Sequence, residues 1–223
     1  LLHCASLVHD DLPCFDDAAF RRGMPSVHRA FGERIAVLAG DALIVLAFQT
    51  LGSVASRSPD RLAPLLGTVG RGVGMPFGIV AGQAWECEPQ VDLSDYQRAK
   101  TGALFAAATM AGAQAAGSEP GHWRAFGEWL GEAYQVADDI RDAAFDPDLI
   151  GKPTGRDVAL GRPSVARELG VREAIRRFER LVARCADAIP ECRGASRLRA
   201  LVQVESERLV PKAWTERLER IAA

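Results

Sequence analysis

Apolar residues recur along the chain at helical spacing, and no stretch alternates apolar and polar residues over the length of a strand. The pattern predicts helices over residues 1–11, 33–56, 61–87, 94–116, 121–145, 171–189 and 197–222. Pro13 should end the first helix near Asp11, Gly117 should stop the fourth, and Pro211 should break the last. Residues 146–163 have the composition of a polar loop. We therefore predict an all-α protein with one domain over residues 1–223.

Composition limits the possible partners and compartments. At 223 residues and 48% hydrophobic, the chain can bury one sizeable core. A net charge of −2 gives no indication of nucleic acid or an anionic membrane as a partner. Five cysteines, odd in number and without zinc-site spacing, are expected to be reduced core thiols of a cytoplasmic protein.

The longest apolar stretch, residues 35–48, contains Gly40 and Asp41. Because these two residues interrupt it, we predict no transmembrane segment. Asp41 itself is expected to be a hydrogen-bonded carboxylate in the core. The alternative is that it faces a metal site.

The densest group of charges lies in residues 9–17, where four aspartates fall within eight positions and are followed by Arg21 and Arg22. Asp10 and Asp11 are expected in the last turn of a helix, where the helix dipole disfavours anions. Two carboxylates ~5 Å apart also repel each other by roughly 3 kcal/mol at an effective dielectric of 20. A cation should offset this repulsion. Oxygen ligands without histidine or cysteine in ligand spacing favour Mg²⁺ over Zn²⁺.

A second acidic cluster occurs in residues 134–142, inside a long helical pattern. Asp138 and Asp142 are four residues apart and share one helix face, with Gln135 one turn earlier. A solvated acidic helix end would explain either cluster alone, but not two that match. Two acidic helix faces can hold several Mg²⁺ ions between them, and such an arrangement suits a diphosphate.

Several short motifs follow one another in an informative order. They are Asp10-Asp11-x4-Asp16 with Arg21-Arg22-Gly23, Gly82-Gln83, Lys100-Thr101-Gly102, Asp138-Asp139-x2-Asp142 and Gly151-Lys152-Pro153. Together they resemble the trans-isoprenyl diphosphate synthases, or polyprenyl synthetases, over nearly the whole chain. Residues 3–9 are most similar to bacterial geranylgeranyl diphosphate synthases. The resemblance implies an isoprenoid-synthase helical bundle with a central cavity, from which the N-terminal helices are expected to be missing.

The resemblance also implies an activity. Such enzymes are Mg²⁺-dependent prenyltransferases that condense isopentenyl diphosphate with dimethylallyl, geranyl or farnesyl diphosphate and release pyrophosphate. The expected product is geranylgeranyl diphosphate, a carotenoid precursor, made by a cytoplasmic homodimer with three Mg²⁺ per site. Catalysis consists of stabilising the departing pyrophosphate, which then accepts the proton, so no serine or cysteine nucleophile is required.

Roles follow from the resemblance position by position. Asp10 and Asp16 would hold two Mg²⁺ ions and Asp138 a third, with Asp11, Asp139 and Asp142 in support. The expected diphosphate ligands are Arg21, Lys100 and Lys152 for the allylic substrate, Arg22 for isopentenyl diphosphate, and Arg162 in place of a third lysine. Thr101 and Gln135 would face the developing cation, and the Lys100-Thr101-Gly102 triplet is a plausible helix kink. Arg141 replaces an apolar residue and is expected on the outer face.

Product length is predicted from the helix before the first motif. Ser6 and Ala5 precede Asp10 by roughly 6 and 7.5 Å along the helix axis, and both are small. A tunnel along this wall would stay open beyond the farnesyl stage, with Leu2 as its floor. An aromatic residue at position 5 should shorten the product to farnesyl diphosphate.

Other functions remain as alternatives. A farnesyl diphosphate synthase would differ only in product length. His9-Asp10 could belong to an HD-type metal phosphohydrolase, although that class leaves the second acidic cluster unexplained. A non-catalytic prenyl synthase subunit would typically lack one aspartate motif, and a terpene cyclase would typically lack Arg21-Arg22 and Lys100-Thr101.

Overall fold

The computed structural model describes residues 1–53, 57–88, 95–96, 98–144 and 165–211. The helices are α1 (Leu2–Asp10), α2 (Val27–Phe31), α3 (Glu33–Gly52), α4 (Pro59–Val73), α5 (Ile79–Trp85), α6 (Ala103–Ala116), α7 (Arg124–Ala144), α8 (Val165–Leu169), α9 (Val171–Asp187) and α10 (Ala195–Leu209). A π-helical turn (Arg98–Gly102) precedes α6, and a 3-10 turn (Pro120–Trp123) precedes α7. Two-residue strands, β1 (Phe20–Arg21) and β2 (Met24–Pro25), form a hairpin. The all-α prediction is confirmed.

The chain divides into two compact units. The first contains residues 1–67 and 146–153, and the second contains residues 68–145 and 154–223. The first acidic motif belongs to the first unit and the second acidic motif to the second. That the whole chain is a single domain stays a prediction.

Local sequence signals account for several helix ends. Helix α1 ends at Asp10, and Asp11 is its C-cap, as Pro13 predicts. Gly117 adopts φ 77° and ends α6 in the left-handed conformation that favours glycine. The single helix predicted over residues 61–87 is wrong, because α4 and α5 are separate. Pro76 lies between them and has no N–H to donate to a helix.

In the first unit, α1 packs against α3 at a point where only glycine fits. A Cβ at Gly40 would lie 2.0 Å from Nε2 of His9. The same nitrogen lies 3.3 Å from the carbonyl oxygen of Val37 and 3.6 Å from Oδ1 of Asp41. The Asp41 side chain is 59% exposed, so the expected core carboxylate is wrong. This contact anchors α1 immediately before the first acidic motif.

Helix α3 is long and apolar, and within the described part of the first unit several of its large side chains are exposed. Ile35, Leu38 and Val45 are each more than half exposed. Among the described residues, α3 is the one helix long and apolar enough to cross a membrane, by length and composition only. Core helices of soluble proteins pass the same test, so the absence of a transmembrane segment stays a prediction.

The second unit has a core built on α7, α8 and α9, and this core fixes the helix that carries the second motif. The buried residues of α7 in this cluster recur at helical spacing: Ala133, Val136, Ala137 and Ile140. They pack with Val165 and Ala166 of α8 and with one apolar face of α9. Because one side of α7 is fully buried, the orientation of its polar residues is determined by packing.

The five cysteines are free thiols, but only Cys185 is in the core. Burial raises the pKa of the Cys185 thiol to about 12. The other four, Cys4, Cys14, Cys87 and Cys192, are exposed, so the expectation of core thiols is wrong for them.

Candidate active site

The first acidic motif folds back on the end of α1. The N–H of Asp16 donates to the carbonyl oxygen of Asp10 at 2.9 Å, and the N–H of Ala18 donates to that of Asp11 at 3.2 Å. Asp17 adopts φ 45°, in the left-handed region that lets the chain reverse. The loop thereby brings Asp16 next to Asp10, as the spacing of the motif requires.

Arg21 supplies positive charge to the paired carboxylates. Its Nε and one terminal nitrogen donate to Oδ1 of Asp11 at 2.9 and 2.5 Å, and the same terminal nitrogen lies 3.7 Å from Asp10. Burial alone would lower the pKa of Arg21. The hydrogen bond to Asp11 and the charges of Asp11, Asp10 and Asp16 outweigh burial and raise it. The chain itself therefore provides part of the cationic compensation expected at this helix end.

A hairpin that the hydrophobic pattern did not reveal presents Arg21. Strands β1 and β2 are antiparallel, with Arg21 opposite Met24. The two residues between them, Arg22 and Gly23, adopt φ 54° and 76°. Positive φ at both positions is typical of a tight two-residue hairpin loop. The Arg22 side chain is exposed on this loop.

A buried histidine, not singled out from the sequence, stabilises the loop that carries Asp16. His28 is 7% exposed, its Nδ1 lies 3.0 Å from Oγ of Ser26, and its Nε2 lies 3.4 Å from Oδ1 of Asp17. Arg29 also donates to Oδ1 of Asp17, at 2.9 Å. These contacts link α2 to the residue next to Asp16. No sequence periodicity connects these positions.

In the second unit, the predicted kink at Lys100-Thr101-Gly102 is confirmed as the π-helical turn. Such turns interrupt the regular ladder of backbone hydrogen bonds. Gly82 of α5 is essential to this packing, because a Cβ there would lie 2.3 Å from the backbone nitrogen of Lys100. The Lys100 ammonium donates to Oε1 of Glu86 at 2.6 Å.

A chain of hydrogen bonds connects this turn to the second acidic motif. Oγ1 of Thr101 donates to Oε1 of Gln135 at 2.9 Å. Nε2 of Gln135 in turn donates to Oδ1 of Asp139 at 3.1 Å, and Oδ2 of Asp139 accepts from the N–H of Val165 at 2.8 Å. Asp139 is 2% exposed, and these two hydrogen bonds hold Gln135 and the backbone of Val165 in place. That Thr101 and Gln135 face the developing cation stays a prediction.

Arg141 differs from its predicted placement. Its side chain is only 22% exposed, and a terminal nitrogen donates to Oδ1 of Asp138 at 2.9 Å. The expectation that Arg141 lies on the outer face is therefore wrong. Arg141 is three residues after Asp138, one helical turn further on, and that spacing makes the contact.

Comparison with known proteins agrees with this geometry. Residues 1–192 match the model of the family described as polyprenyl synthetase. The chain belongs to the polyprenyl synthetase family. As such it is a prenyltransferase.

Two curated relatives of this chain carry the same name. A geranylgeranyl diphosphate synthase of Cereibacter sphaeroides is 51% identical over 95% of this chain and 73% of the relative. One of Rhodobacter capsulatus is 46% identical over 94% of this chain and 73% of the relative.

Solved structures of other polyprenyl synthetases share the fold. A geranyltransferase from Helicobacter pylori, complexed with magnesium and isoprenyl diphosphate, superposes with a TM-score of 0.75 at 30% identity. It matches 96% of this chain, which covers 71% of that protein. An FPP/GFPP synthase from Zymomonas mobilis gives a TM-score of 0.75 at 31% identity, over 92% of this chain and 72% of the other.

Several candidate site residues of this polyprenyl synthetase cannot be placed. Lys152, Arg162 and the side chain of Asp142 lie outside the described residues. Within the part of the chain that is described, no three side chains of histidine, cysteine, aspartate or glutamate form a group that could hold a metal. Asp10 and Asp16 belong to the first unit and Asp138 to the second. Their assignments as metal ligands stay predictions.

Proposed function

We propose that the protein is a Mg²⁺-dependent prenyltransferase that makes geranylgeranyl diphosphate and pyrophosphate. It condenses isopentenyl diphosphate with dimethylallyl, geranyl or farnesyl diphosphate. The observation that carries this proposal is the hydrogen bond from Thr101 to Gln135, which joins the turn bearing Lys100 to the helix of the second acidic motif. The alternative of an HD-type phosphohydrolase leaves the second acidic motif unexplained. The names of the two bacterial relatives support the same reaction and product.

The donor set of the two motifs fits Mg²⁺. Its carboxylates are oxygen ligands, and the Asp10 and Asp138 side chains are partly exposed. In this proposal Asp10, Asp16 and Asp138 hold three Mg²⁺ ions, with Asp142 in support, and Asp11 orients Arg21. When bound, Mg²⁺ withdraws charge from the departing pyrophosphate and lowers the barrier to its departure.

The basic and polar side chains then have separate tasks. Arg21, Lys100 and Lys152 neutralise the allylic diphosphate, with Arg162 in support, and Arg22 binds isopentenyl diphosphate. The allylic C–O bond breaks, and the double bond of isopentenyl diphosphate attacks the resulting carbocation.

Two further side chains act on the carbocation itself. The oxygens of Thr101 and Gln135 stabilise its positive charge, because the hydroxyl hydrogen of Thr101 points to Gln135 in their hydrogen bond and lone pairs remain on both oxygens. After the new C–C bond forms, a proton is lost to pyrophosphate. No residue of the chain has to act as a nucleophile.

Product length in this proposal depends on α1. Ala5 and Ser6 are small residues, so neither projects a large side chain. Ala5 is 2% exposed, and the Ser6 hydroxyl donates to the carbonyl oxygen of His3 at 2.9 Å. With Leu2 as the floor, chain growth continues past farnesyl diphosphate. Incubation with isopentenyl and farnesyl diphosphates and Mg²⁺, followed by chromatographic identification of the product, should give geranylgeranyl diphosphate. A product that stays at farnesyl diphosphate would favour the farnesyl synthase alternative.

We also propose that the protein works as a cytoplasmic homodimer, and α3 supports this assembly. Its exposed apolar side chains, Ile35, Leu38, Val45 and Leu46, lie along one helix, and exposed apolar patches commonly mark sites of protein–protein contact. Sedimentation at micromolar concentration without detergent should show a dimer. A fully active monomer would contradict the proposed assembly. Recovery only in the membrane fraction would contradict the proposed compartment.

A further inference from the structure

The carboxylate of Glu86 is the centre of a polar cluster in the second unit. Its Oε1 accepts a hydrogen bond from Lys100 Nζ at 2.6 Å and another from the hydroxyl of Tyr96, and its Oε2 accepts from Nε2 of Gln83 at 2.8 Å. The side chains of Glu86 and Lys100 are 15% and 21% exposed. Because both charges are largely withdrawn from water, their hydrogen bond is stronger than that of a surface ion pair.

The backbone of Lys100 is fixed by the same short segment. Gly82, four residues before Glu86, lies so close that a Cβ would approach the Lys100 backbone nitrogen to 2.3 Å and its Cα to 2.4 Å. Nζ of Lys100 also lies 5.9 Å from the centre of the Tyr96 ring. The contact with Gly82 thus fixes the backbone of Lys100, and Glu86 and Tyr96 restrict the position of its ammonium group.

We infer that Glu86 is a positioning residue that orders the Lys100 ammonium for the allylic diphosphate. This inference rests on the proposed function, in which Lys100 binds that diphosphate. A mobile lysine side chain loses rotamer freedom when it binds an anion, and this loss weakens binding. A side chain that the protein already holds in one position has lost that freedom before the anion arrives, so its binding is tighter. An ammonium group has three N–H donors, so the bond to Glu86 does not exclude a bond to a phosphate oxygen.

The substitution Glu86→Gln tests this role, because it keeps the shape and one accepting oxygen but removes the charge. The measurement is calorimetric binding of a non-reactive allylic thiolodiphosphate in the presence of Mg²⁺. We expect the dissociation constant to rise about 10-fold. The KM for isopentenyl diphosphate should not change, whereas the melting temperature should fall modestly, because the new NH₂ group leaves one of the surrounding donors without its acceptor. An unchanged dissociation constant would overturn the inference.

A double-mutant cycle shows whether Glu86 acts through Lys100. Lys100→Gln should weaken binding of the analogue by itself. Adding Glu86→Gln to that variant should then have no further effect, because the group that Glu86 positions is gone. Additive losses would mean that Glu86 acts by another route and would overturn the inference.

The matched control is Glu132→Gln, which removes the same charge from an ion pair elsewhere in this unit. Glu132 accepts from Arg177 at 2.8 Å, and the two side chains are 31% and 36% exposed. This control should leave binding of the analogue unchanged. If Glu86→Gln behaves like the control, the Glu86 pair is only structural.

A second variant covers the case in which Glu86→Gln does not fold. Tyr96→Phe removes one hydroxyl donor to Glu86 and keeps the ring beside Lys100. It should raise the dissociation constant about 3-fold. No rise would overturn the inference.

The outcomes also separate this inference from the proposed function. If the unmutated protein forms no prenyl product, the proposed function fails, and the inference fails with it. If the protein is active and Lys100→Gln weakens binding but Glu86→Gln does not, only the inference fails. If Lys100→Gln leaves binding unchanged, Lys100 has no part in holding the diphosphate, and both assignments to that residue are wrong.

Discussion

Each of the two acidic motifs contains an adjacent pair of aspartates, and in both pairs the two members have different surroundings. Asp11 and Asp139, the second members, are 3% and 2% exposed. Asp10 and Asp138, the first members, have side chains that are 16% and 29% exposed. The same division therefore occurs at a helix end in one unit and inside a helix in the other.

The buried members are engaged by the protein itself. Asp11 accepts two hydrogen bonds from Arg21, and Asp139 accepts one from Gln135 and one from the backbone of Val165. A buried carboxylate without such partners would cost several kcal/mol. The comparison shows that the second aspartate of each pair organises the residues around it, and it supports our proposal that the first serves the substrate and its metal ions.

The two motifs differ in which aspartate accepts hydrogen bonds from an arginine. Arg21 hydrogen-bonds to the buried Asp11, whereas Arg141 hydrogen-bonds to Asp138, the more exposed member of its pair. In the first motif the guanidinium supports the structure. In the second motif the guanidinium of Arg141 is hydrogen-bonded to Asp138, a carboxylate that we propose as a Mg²⁺ ligand.

The largest expected effect comes from neutralising the first aspartates. Asp10→Asn and Asp138→Asn should each reduce turnover by about 100-fold or more, because each removes charge that stabilises the departing pyrophosphate through Mg²⁺. The free energy of unfolding should stay within about 0.5 kcal/mol of the unmutated value, as for other partly exposed side chains. Steady-state product formation and thermal unfolding measure the two effects. Near-normal turnover in either variant would refute that residue's assignment as a ligand.

A smaller effect, on stability, is expected at the buried member of the second pair. Asp139→Asn replaces one accepting oxygen by an NH₂ group, so that Gln135 or Val165 loses its acceptor. We expect a loss of about 1–3 kcal/mol, seen as a melting temperature lowered by roughly 2–4 °C per kcal/mol. The neighbouring substitution Asp138→Asn is the matched control and should leave the melting temperature unchanged. Equal melting temperatures for the two variants would contradict the idea that Asp139 stabilises the structure and Asp138 does not.

Those features of the site that depend on local chemistry could be predicted from the sequence. Pro13 cannot continue a helix, and α1 ends where it predicts. Gly117 allows the left-handed conformation that closes α6, and the kink at Lys100-Thr101-Gly102 appears as a π-helical turn. The break between α4 and α5 could also have been predicted, because Pro76 is a direct signal.

Other features depend on contacts between distant residues, and no local pattern encodes them. Asp139 accepts from a backbone group 26 residues later, and His28 approaches Asp17 across a loop. The hairpin strands have only two residues each, too few for a periodic pattern. Arginine is usually exposed, but the carboxylate partner of Arg141 one turn earlier overrides that tendency.

The smallest effect concerns the difference between the two arginines. Because the guanidinium of Arg141 forms an ion pair with Asp138, a Mg²⁺ ion at that carboxylate must compete with it. Arg141→Leu should therefore lower the Mg²⁺ concentration for half-maximal activity by about 3-fold to 10-fold, the equivalent of losing one partly buried charge-assisted hydrogen bond. Binding of a non-reactive allylic diphosphate, measured at several Mg²⁺ concentrations, should show the same shift without any turnover.

Stability and a control variant complete this test. Within the described ranges, Nε of Arg141 is buried and has no hydrogen-bond partner, so an apolar side chain of similar length should leave the melting temperature unchanged or raise it. Arg177→Leu breaks the ion pair with Glu132 and removes the same charge elsewhere in the unit, and it should leave the Mg²⁺ requirement unchanged. If Arg141→Leu instead raises the Mg²⁺ requirement, Arg141 orients Asp138 for the metal rather than competing with it. The arginines of the two motifs would then both be supports for their aspartates.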